Sequence, residues 1–356
     1  IHKVKVMKNN LRVSNPIVDR LAYILQWGRS LSCDQETLLI PVRRRIKKGI
    51  ELGVCERAYL KGARYHENFK IHLPGGSNAL VQIGALLPER QKGGIRVVLN
   101  PARFESGDAS RLNKIMRNIV GKSYFDLMED PLINQIDFAV DIWGASMDRM
   151  LVTYKNAQRY TVIAKRINAQ GHIEGYNFGS VSSDYMSVLY DKGCERNHAA
   201  LLRLIKNGAQ IEGLKSNLVK QFSIGKFDQQ RARVEVRGKK MRGLPLYKLD
   251  RLPNRFERFH FCDLDSDGIE LPPYIEEAFL ALCRQSGVKA ALSNFKNTEW
   301  VRKVNAYYRT REAGWWRPEP LWQEACNAIR EIGLFPDLAF DEPKLRGGDQ
   351  GLVDYL

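Results

Sequence analysis

Two aspartates lie on one side of a short apolar segment of this sequence. In Ile136-Asp137-Phe138-Ala139-Val140-Asp141-Ile142, strand alternation places Asp137 and Asp141 on one face and the large apolar residues on the other. Burying two carboxylates on such a strand is costly unless a cation compensates their charge. The pattern therefore indicates that something positive faces this strand.

A second segment, residues 231–237, alternates in the same way. It places Glu235 on one face together with three basic residues, Arg231, Arg233 and Arg237. If this strand lies near the first, Asp137, Asp141 and Glu235 form an all-oxygen pocket of the kind that suits Mg²⁺ or Mn²⁺. The alternative is that the acids pair with the arginines beside them.

A tyrosine ends a third segment. The apolar run Met186–Tyr190 is predicted to be a strand, and Lys192 follows it. Before it lies a Gly-Ser turn, whose backbone N–H groups could hold a phosphate, so we expect Ser180 to contact DNA. A tyrosine at a strand end can attack phosphorus if a metal ion or a lysine favours the phenolate, whose reference pKa is about 10. A strand tyrosine is more often a packing residue, so this segment alone does not establish catalysis.

Together the three segments resemble the rolling-circle replication initiators and relaxases of the Rep-trans, or replication initiation factor, family. That family includes plasmid initiators, conjugative-element relaxases and filamentous-phage initiators. The resemblance consists of Ile136–Asp141, then Tyr176-x-x-Gly179-Ser180 leading to Tyr190-Asp191-Lys192, then Arg233–Arg237, in this order along the chain.

The resemblance implies a DNA strand-specific endonuclease and ligase. Such an enzyme opens one strand at an origin, keeps the 5′ phosphate on a tyrosine and later rejoins the strand. Carried over by motif, the nucleophile is Tyr190, the metal ligands are Asp137, Asp141 and Glu235, and Lys192 and Arg233 steady the phosphate, the phenolate or Glu235. Arg231 and Arg237 are expected to contact DNA.

Two departures from the family pattern leave alternatives open. Many members carry a basic residue two positions before the nucleophile, where this chain has Val188. Tyr185 and Tyr176 therefore remain alternative nucleophiles. The His-hydrophobic-His metal motif of the other large initiator class does not occur in this sequence, so the metal site is expected to consist of carboxylates.

The composition supports a polyanionic partner. The chain carries a formal net charge of +16, with basic residues in every segment rather than in one tail. A basic surface attracts nucleic acid because binding releases counterions from the phosphate backbone. No apolar run approaches the roughly 20 residues of a membrane span. The six cysteines are widely spaced without a C-x-x-C pair, which suits a reducing cytosol. The resemblance implies that this compartment is a bacterial host cytoplasm.

The elements that must position these residues indicate an α+β fold. We expect an N-terminal helical segment over residues 1–64, an antiparallel nicking core over 65–270 and a C-terminal helical region over 271–356. Asn15-Pro16 is predicted to begin a helix that runs through Trp27, and a second helix follows Ser32.

That second helix is strongly basic. Leu39, Val42 and Ile46 recur at helical spacing, and basic residues fill the positions between them: Arg43, Arg44, Arg45 and Lys47. The basic side is either an ordinary solvated face or a surface that contacts the DNA backbone.

The sequence thus favours a rolling-circle initiator that acts on single-stranded or hairpin origin DNA. A conjugative relaxase acting on a transfer origin and a non-catalytic DNA-binding regulator remain alternatives. Further partners that the resemblance implies are a host helicase and polymerase and, for a homodimer, a second copy of the chain.

Overall fold

The computed structural model describes residues 11–26, 35–60, 64–87, 94–155, 163–167, 173–196, 199 and 231–343. Its strands are β1 (Arg12–Val13), β2 (Ile17–Leu25), β3 (Cys55–Arg57), β4 (Tyr65–His72), β5 (Asn78–Ala85), β6 (Ile95–Leu99), β7 (Leu132–Trp143), β8 (Met150–Tyr154), β9 (Ile163–Ile167), β10 (Ile173–Phe178), β11 (Tyr185–Asp191), β12 (Arg231–Gly238), β13 (Leu244–Pro245) and β14 (Phe259–Asp263). Its helices are α1 (Gln35–Glu51), α2 (Asp108–Val120), α3 (Tyr124–Met128), α4 (Pro273–Ser286), α5 (Val288–Asn294), α6 (Val301–Thr310) and α7 (Pro318–Glu331). The fold is α+β with antiparallel strands, as predicted.

The chain forms two compact units that alternate along the sequence. Unit 1 comprises Ile1–Ile17, Asp137–Gly238 and Asn254–Ala325. Unit 2 comprises Val18–Ile136, Lys239–Pro253 and Cys326–Leu356. The boundary falls within β7, whose residues from Asp137 onward belong to unit 1. All the residues of the predicted nicking chemistry lie in unit 1.

In unit 2, antiparallel strands follow the order β3-β4-β5-β6-β2. Helix α1 packs on this sheet and on α2. Its apolar positions Leu39, Val42 and Ile46 are buried, as the helical spacing predicted.

The prediction of a helix from Asn15-Pro16 to Trp27 is wrong for the described part of that segment, where residues 17–25 form strand β2. The strand pairs with β6 over Leu21 to Leu25, and all five of these residues are buried. A strand that is buried on both faces carries apolar residues without strict alternation, and its spacing then imitates that of a helix.

In unit 1, antiparallel strands follow the order β7-β12-β11-β10-β9. One face of this sheet packs against apolar side chains of the later chain. Phe138 meets Trp322 of α7 edge to face, and Phe178 contacts both Tyr154 and Phe259. The polar side chains of β7, β11 and β12 lie on the opposite face.

Helices α4, α5 and α6 enclose a second apolar cluster of unit 1. Phe279, Ala291, Val304 and Tyr307 are fully buried there, so the helical C-terminal region is confirmed over the described residues. The sequence pattern also predicts a helix over residues 199–206, a segment that lies outside the described residues except for Ala199. Within the described part of the chain, no helix is long and apolar enough to cross a membrane.

Candidate active site

The polar face of the unit 1 sheet brings the acids, the arginines and one tyrosine together. Strands β11 and β12 pair so that Tyr190 lies directly opposite Arg233. Glu235 is two residues further along β12 and therefore shares their face. Asp141 lies on β7, the strand next to β12, and joins the cluster through its hydrogen bond from Arg233. The structure thus unites residues from three separate stretches of sequence.

Asp141 is held by two arginines. Nε of Arg233 donates to Oδ1 of Asp141 at 2.6 Å, and Nη2 of Arg233 donates to Oδ2 at 2.9 Å. Nη1 of Arg231 lies 3.3 Å from the same Oδ2. Because Asp141 and Arg233 are both buried, each charge depends on the other for its compensation.

Glu235 occupies the centre of the cluster and is almost fully buried. Its Oε1 accepts a hydrogen bond of 2.5 Å from the Tyr190 hydroxyl. Its Oε2 accepts a hydrogen bond of 2.8 Å from Nε of Arg237, whose Nη2 also contacts this oxygen. Burial lowers the pKa of Arg237, but the Glu235 carboxylate, with a further contribution from Asp137, outweighs burial and raises it.

The hydroxyl of Tyr190 lies between the carboxylate of Glu235, which accepts its hydrogen bond, and the amino group of Lys192, which donates one to it. Nζ of Lys192 donates to this hydroxyl at 3.3 Å and also to Oε2 of Glu195 at 2.7 Å. Burial, followed by the negative charge of Glu235 and the hydrogen bond to it, raises the pKa of Tyr190 well above its ordinary value, although Arg233 opposes this. The resting side chain is therefore a neutral phenol with a carboxylate placed to accept its proton.

The carboxylates do not form an open metal site in this arrangement. Both oxygens of Asp141 are bonded to guanidinium groups, and the oxygens of Glu235 are bonded to Tyr190 and Arg237. Among the described residues, no group of three or more His, Cys, Asp or Glu side chains could hold a metal ion. The donor set thus fits ion pairs, and the Mg²⁺ or Mn²⁺ requirement stays a prediction.

The alternative nucleophiles lie on the other face of the sheet. Tyr176 is the cross-strand partner of Leu189, the residue next to Tyr190, so its side chain points away from Glu235. Tyr185 precedes Tyr190 by an odd number of positions in the same strand, and its ring packs 4.2 Å from Cζ of Arg255. Of the three tyrosines, Tyr190 alone shares a face with the acids.

Ser180 lies in the turn between β10 and β11, at the opposite end of β11 from Tyr190. Its hydroxyl lies 2.9 Å from that of Ser182 and accepts the Ser182 N–H at 3.2 Å. These bonds stabilise the turn itself. The structure therefore does not bring Ser180 beside the tyrosine.

The four basic residues predicted to contact DNA from α1 lie in unit 2 and divide into two kinds. Arg43 forms an ion pair with Glu67, and Nη1 of Arg45 donates to the carbonyls of Ile119 and Val120 at the end of α2. Arg44, Arg45 and Lys47 are all exposed, but Arg45 is engaged with the α2 carbonyls. Arg44 and Lys47 therefore remain the candidates for phosphate contact.

Sequence reasoning missed the role of Gly175, which lies directly opposite Tyr190 in β10. A Cβ atom at this position would lie 2.7 Å from the carbonyl oxygen of Leu189 and 2.9 Å from Cβ of Tyr190. The lack of a side chain at Gly175 therefore lets the backbones of β10 and β11 approach closely beside Tyr190. The sequence pattern also predicts a strand over Ile173–Phe178, and a glycine inside that strand was the available signal.

No family model matches this chain, and no curated protein matches it. Among solved structures, the chain is similar to a rolling circle replication initiator protein from Geobacillus stearothermophilus. The two share 15% sequence identity with a TM-score of 0.30, and the match covers 64% of this chain and 75% of that chain. At this TM-score, the likeness carries no conclusion about activity.

Proposed function

We propose that this chain is a rolling-circle replication initiator that nicks one DNA strand at an origin through a 5′-phosphotyrosine on Tyr190 and later rejoins it. The observation that carries the proposal is the position of the Tyr190 hydroxyl between Glu235 and Lys192. A structural tyrosine needs one hydrogen-bond partner, whereas a nucleophilic tyrosine needs a proton acceptor and a nearby positive charge.

In the first transfer, the Tyr190 oxygen attacks the scissile phosphorus. Its proton passes to Oε1 of Glu235, which acts as the general base. The bond between phosphorus and the 3′ oxygen breaks, and that oxygen leaves as a hydroxyl with a proton from water. In the second transfer, a 3′ hydroxyl attacks the phosphotyrosine and gives its proton to water, the bond between phosphorus and the Tyr190 oxygen breaks, and Glu235 returns its proton to that oxygen. One phosphoester replaces another, so resealing requires no nucleotide.

The cations around Tyr190 would stabilise the charge on the phosphate oxygens. Lys192 contacts the attacking oxygen directly, and Asp141 fixes the orientation of Arg233 through two parallel hydrogen bonds. Arg231 and Arg237 are less buried than Arg233 and lie at the two ends of the same strand. We propose that they hold the phosphates on either side of the scissile one.

Access is the first requirement of this mechanism, because Tyr190 is only 6% exposed. In-line attack needs the phosphorus within about 3–3.5 Å of the hydroxyl oxygen. DNA binding must therefore uncover the tyrosine. The same burial favours the second candidate function, a non-catalytic DNA-binding regulator in which the cluster only stabilises the sheet.

The dependence on Mg²⁺ or Mn²⁺ is a separate proposal. A metal ion could reach Asp141 or Glu235 only by displacing Arg233 or Arg237 from those carboxylates. Titrating each ion into the nicking reaction, with a chelator as the reference, tests this requirement independently of the nucleophile. Unchanged cleavage in the chelator would remove the metal from the proposal.

The decisive experiment is to incubate the protein with a supercoiled plasmid that carries its origin and to isolate the covalent product. We expect relaxed plasmid and a nucleotide on Tyr190 by mass spectrometry. Tyr190→Phe should abolish both, whereas the matched controls Tyr176→Phe and Tyr185→Phe should retain them. DNA binding without any adduct would favour the regulator, and an adduct on Tyr185 or Tyr176 would contradict the assigned nucleophile.

A further inference from the structure

An exposed tryptophan lies at the end of the polar face of unit 1. Trp143 is the last residue of β7 and shares a face with Asp137 and Asp141, because the three positions differ by even numbers. It is 36% exposed, whereas those aspartates are buried. A large aromatic side chain at the edge of a charged cluster is thus available to a partner.

The indole ring is supported from one side by an arginine. Cζ of Arg231 lies 4.5 Å from the ring centroid, and Nη1 of Arg231 contacts Oδ2 of Asp141 at 3.3 Å. Arg231 therefore joins the tryptophan to the aspartate that orients Arg233. A guanidinium stacked on one side of an indole fixes the ring and leaves the remainder of its surface for a second planar group.

Two further arginines lie near Trp143 or its supporting arginine. Arg12 of β1 is the cross-strand partner of Trp143 and is exposed. Arg196 lies close enough to Arg231 to lower its pKa, although burial is the largest cause of that lowering. A lone aromatic ring among cations disfavours an apolar protein partner. It favours a ligand that is both planar and anionic, which describes a nucleotide of a single strand.

The separation of Trp143 from Tyr190 corresponds to the length of one or two nucleotides. Trp143 is two residues beyond Asp141 in the same strand, which corresponds to roughly 7 Å. Asp141 is bonded to Arg233, the cross-strand partner of Tyr190. When a phosphate lies at Tyr190, the base of a neighbouring nucleotide can therefore reach the indole ring of Trp143.

We propose that Trp143, backed by Arg231, is a stacking platform for an unpaired base next to the phosphate that Tyr190 attacks. The inference rests on the proposed function for its position relative to the scissile phosphate. Independently of nicking, we expect this face of unit 1 to distinguish single-stranded from duplex DNA. A paired base in a duplex offers no free face to the ring, whereas an unpaired base does.

The test uses protein carrying Tyr190→Phe, so that cleavage does not interfere, and a single-stranded oligothymidylate probe with a duplex of the same length as comparison. Binding of the single strand should quench tryptophan fluorescence, and Trp143→Phe should remove most of that quenching. Trp143→Ala should weaken single-strand binding by roughly 5- to 150-fold and leave duplex binding nearly unchanged. Trp143→Phe, which keeps an aromatic ring, should weaken it less.

Tyr274→Ala is the matched control, because Tyr274 is a more exposed aromatic residue of unit 1 on helix α4. It should leave single-strand binding unchanged. Unaltered binding by Trp143→Ala, equal losses for single strand and duplex, or quenching that persists in Trp143→Phe would each overturn the platform. If Tyr190 forms no adduct but Trp143 still governs single-strand binding, the nicking proposal fails while the platform stands.

Discussion

The hydroxyl of Tyr190 donates a hydrogen bond of 2.5 Å to Oε1 of Glu235. The contact has two opposite effects on reactivity. Burial raises the pKa of Tyr190, and the contact with Glu235 raises it further, so the phenol is neutral at rest. Under the proposed function, the same carboxylate would be the base that removes the proton when phosphorus approaches. A nucleophile of this kind would be active only in the presence of its substrate.

Replacing the base should separate chemistry from binding. Glu235→Gln keeps the shape of the side chain but cannot take the proton, so we expect adduct formation to slow by roughly 10²- to 10⁴-fold. The rate is measured by quenching a nicking reaction and resolving the covalent complex on a denaturing gel. DNA affinity of the variant should stay within a few-fold of the parent. Parental rates would exclude Glu235 as the general base.

Breaking the buried ion pair should destabilise unit 1. Arg233→Ala leaves Asp141 buried with only Arg231 beside it, and the expected loss in the free energy of unfolding is about 3–5 kcal/mol. Urea unfolding measures this loss. Glu342→Gln is the control, because its pair with Arg251 is exposed and should contribute no more than about 1 kcal/mol. Equal effects of the two substitutions would contradict the structural role given to Arg233.

Adding one methyl group behind the tyrosine should impair nicking. In Gly175→Ala, the new Cβ would lie within 2.9 Å of Cβ of Tyr190, so β10 or the tyrosine must shift. We expect the nicking rate to fall by about 10²-fold, the size of effect that a misplacement of about 1 Å produces. Gly314→Ala is the matched control, because a Cβ atom added there would have no heavy atom of the described residues within 4 Å apart from its chain neighbours, so its activity should be unchanged. A fully active Gly175→Ala would show that the close approach is not required.

The helix α1 should show two separable effects of its arginines. Arg45→Ala removes hydrogen bonds to the carbonyls that end α2, so stability should fall by about 1.5–3 kcal/mol. Arg44→Ala should leave stability unchanged but weaken DNA binding and reduce the slope of log K against log salt by about one. Thermal melts and salt titrations of binding distinguish the two. The reverse assignment of effects would place the DNA contact at Arg45.

Alkaline pH should destabilise unit 1 through its buried thiols. Burial raises the pKa of Cys262 to about 12, and burial together with Cys262 raises that of Cys283 to about 12, from an ordinary value of 9.0. The stability they contribute is fully present below pH 9 and is lost as the pH rises toward 12, since the unfolded thiols ionise first. Under reducing conditions, Cys283→Ala should therefore lose stability less steeply above pH 9 than the parent. Parallel curves would contradict this.

The sequence predicted the elements of the site better than their pairing. Strands β7 and β12 were recognisable because one face of each carries charge and the other carries apolar residues. Strand β2 was not, because a strand buried on both faces loses that contrast. Which carboxylate pairs with which arginine depends on the register between strands far apart in sequence. The structure supplies that register, and with it the separation of Tyr190 from Tyr185 and Tyr176 by face.

The alternation of the two units along the chain limits how the protein can be dissected. Unit 1 consists of three stretches, so no single proteolytic cut releases it intact. A fragment restricted to residues 65–270 would contain Tyr190 and its acids but would lack Trp322, which covers Phe138 on the reverse side of β7. Such a fragment would expose an apolar surface and aggregate, so minimal versions of the protein must retain the chain through α7.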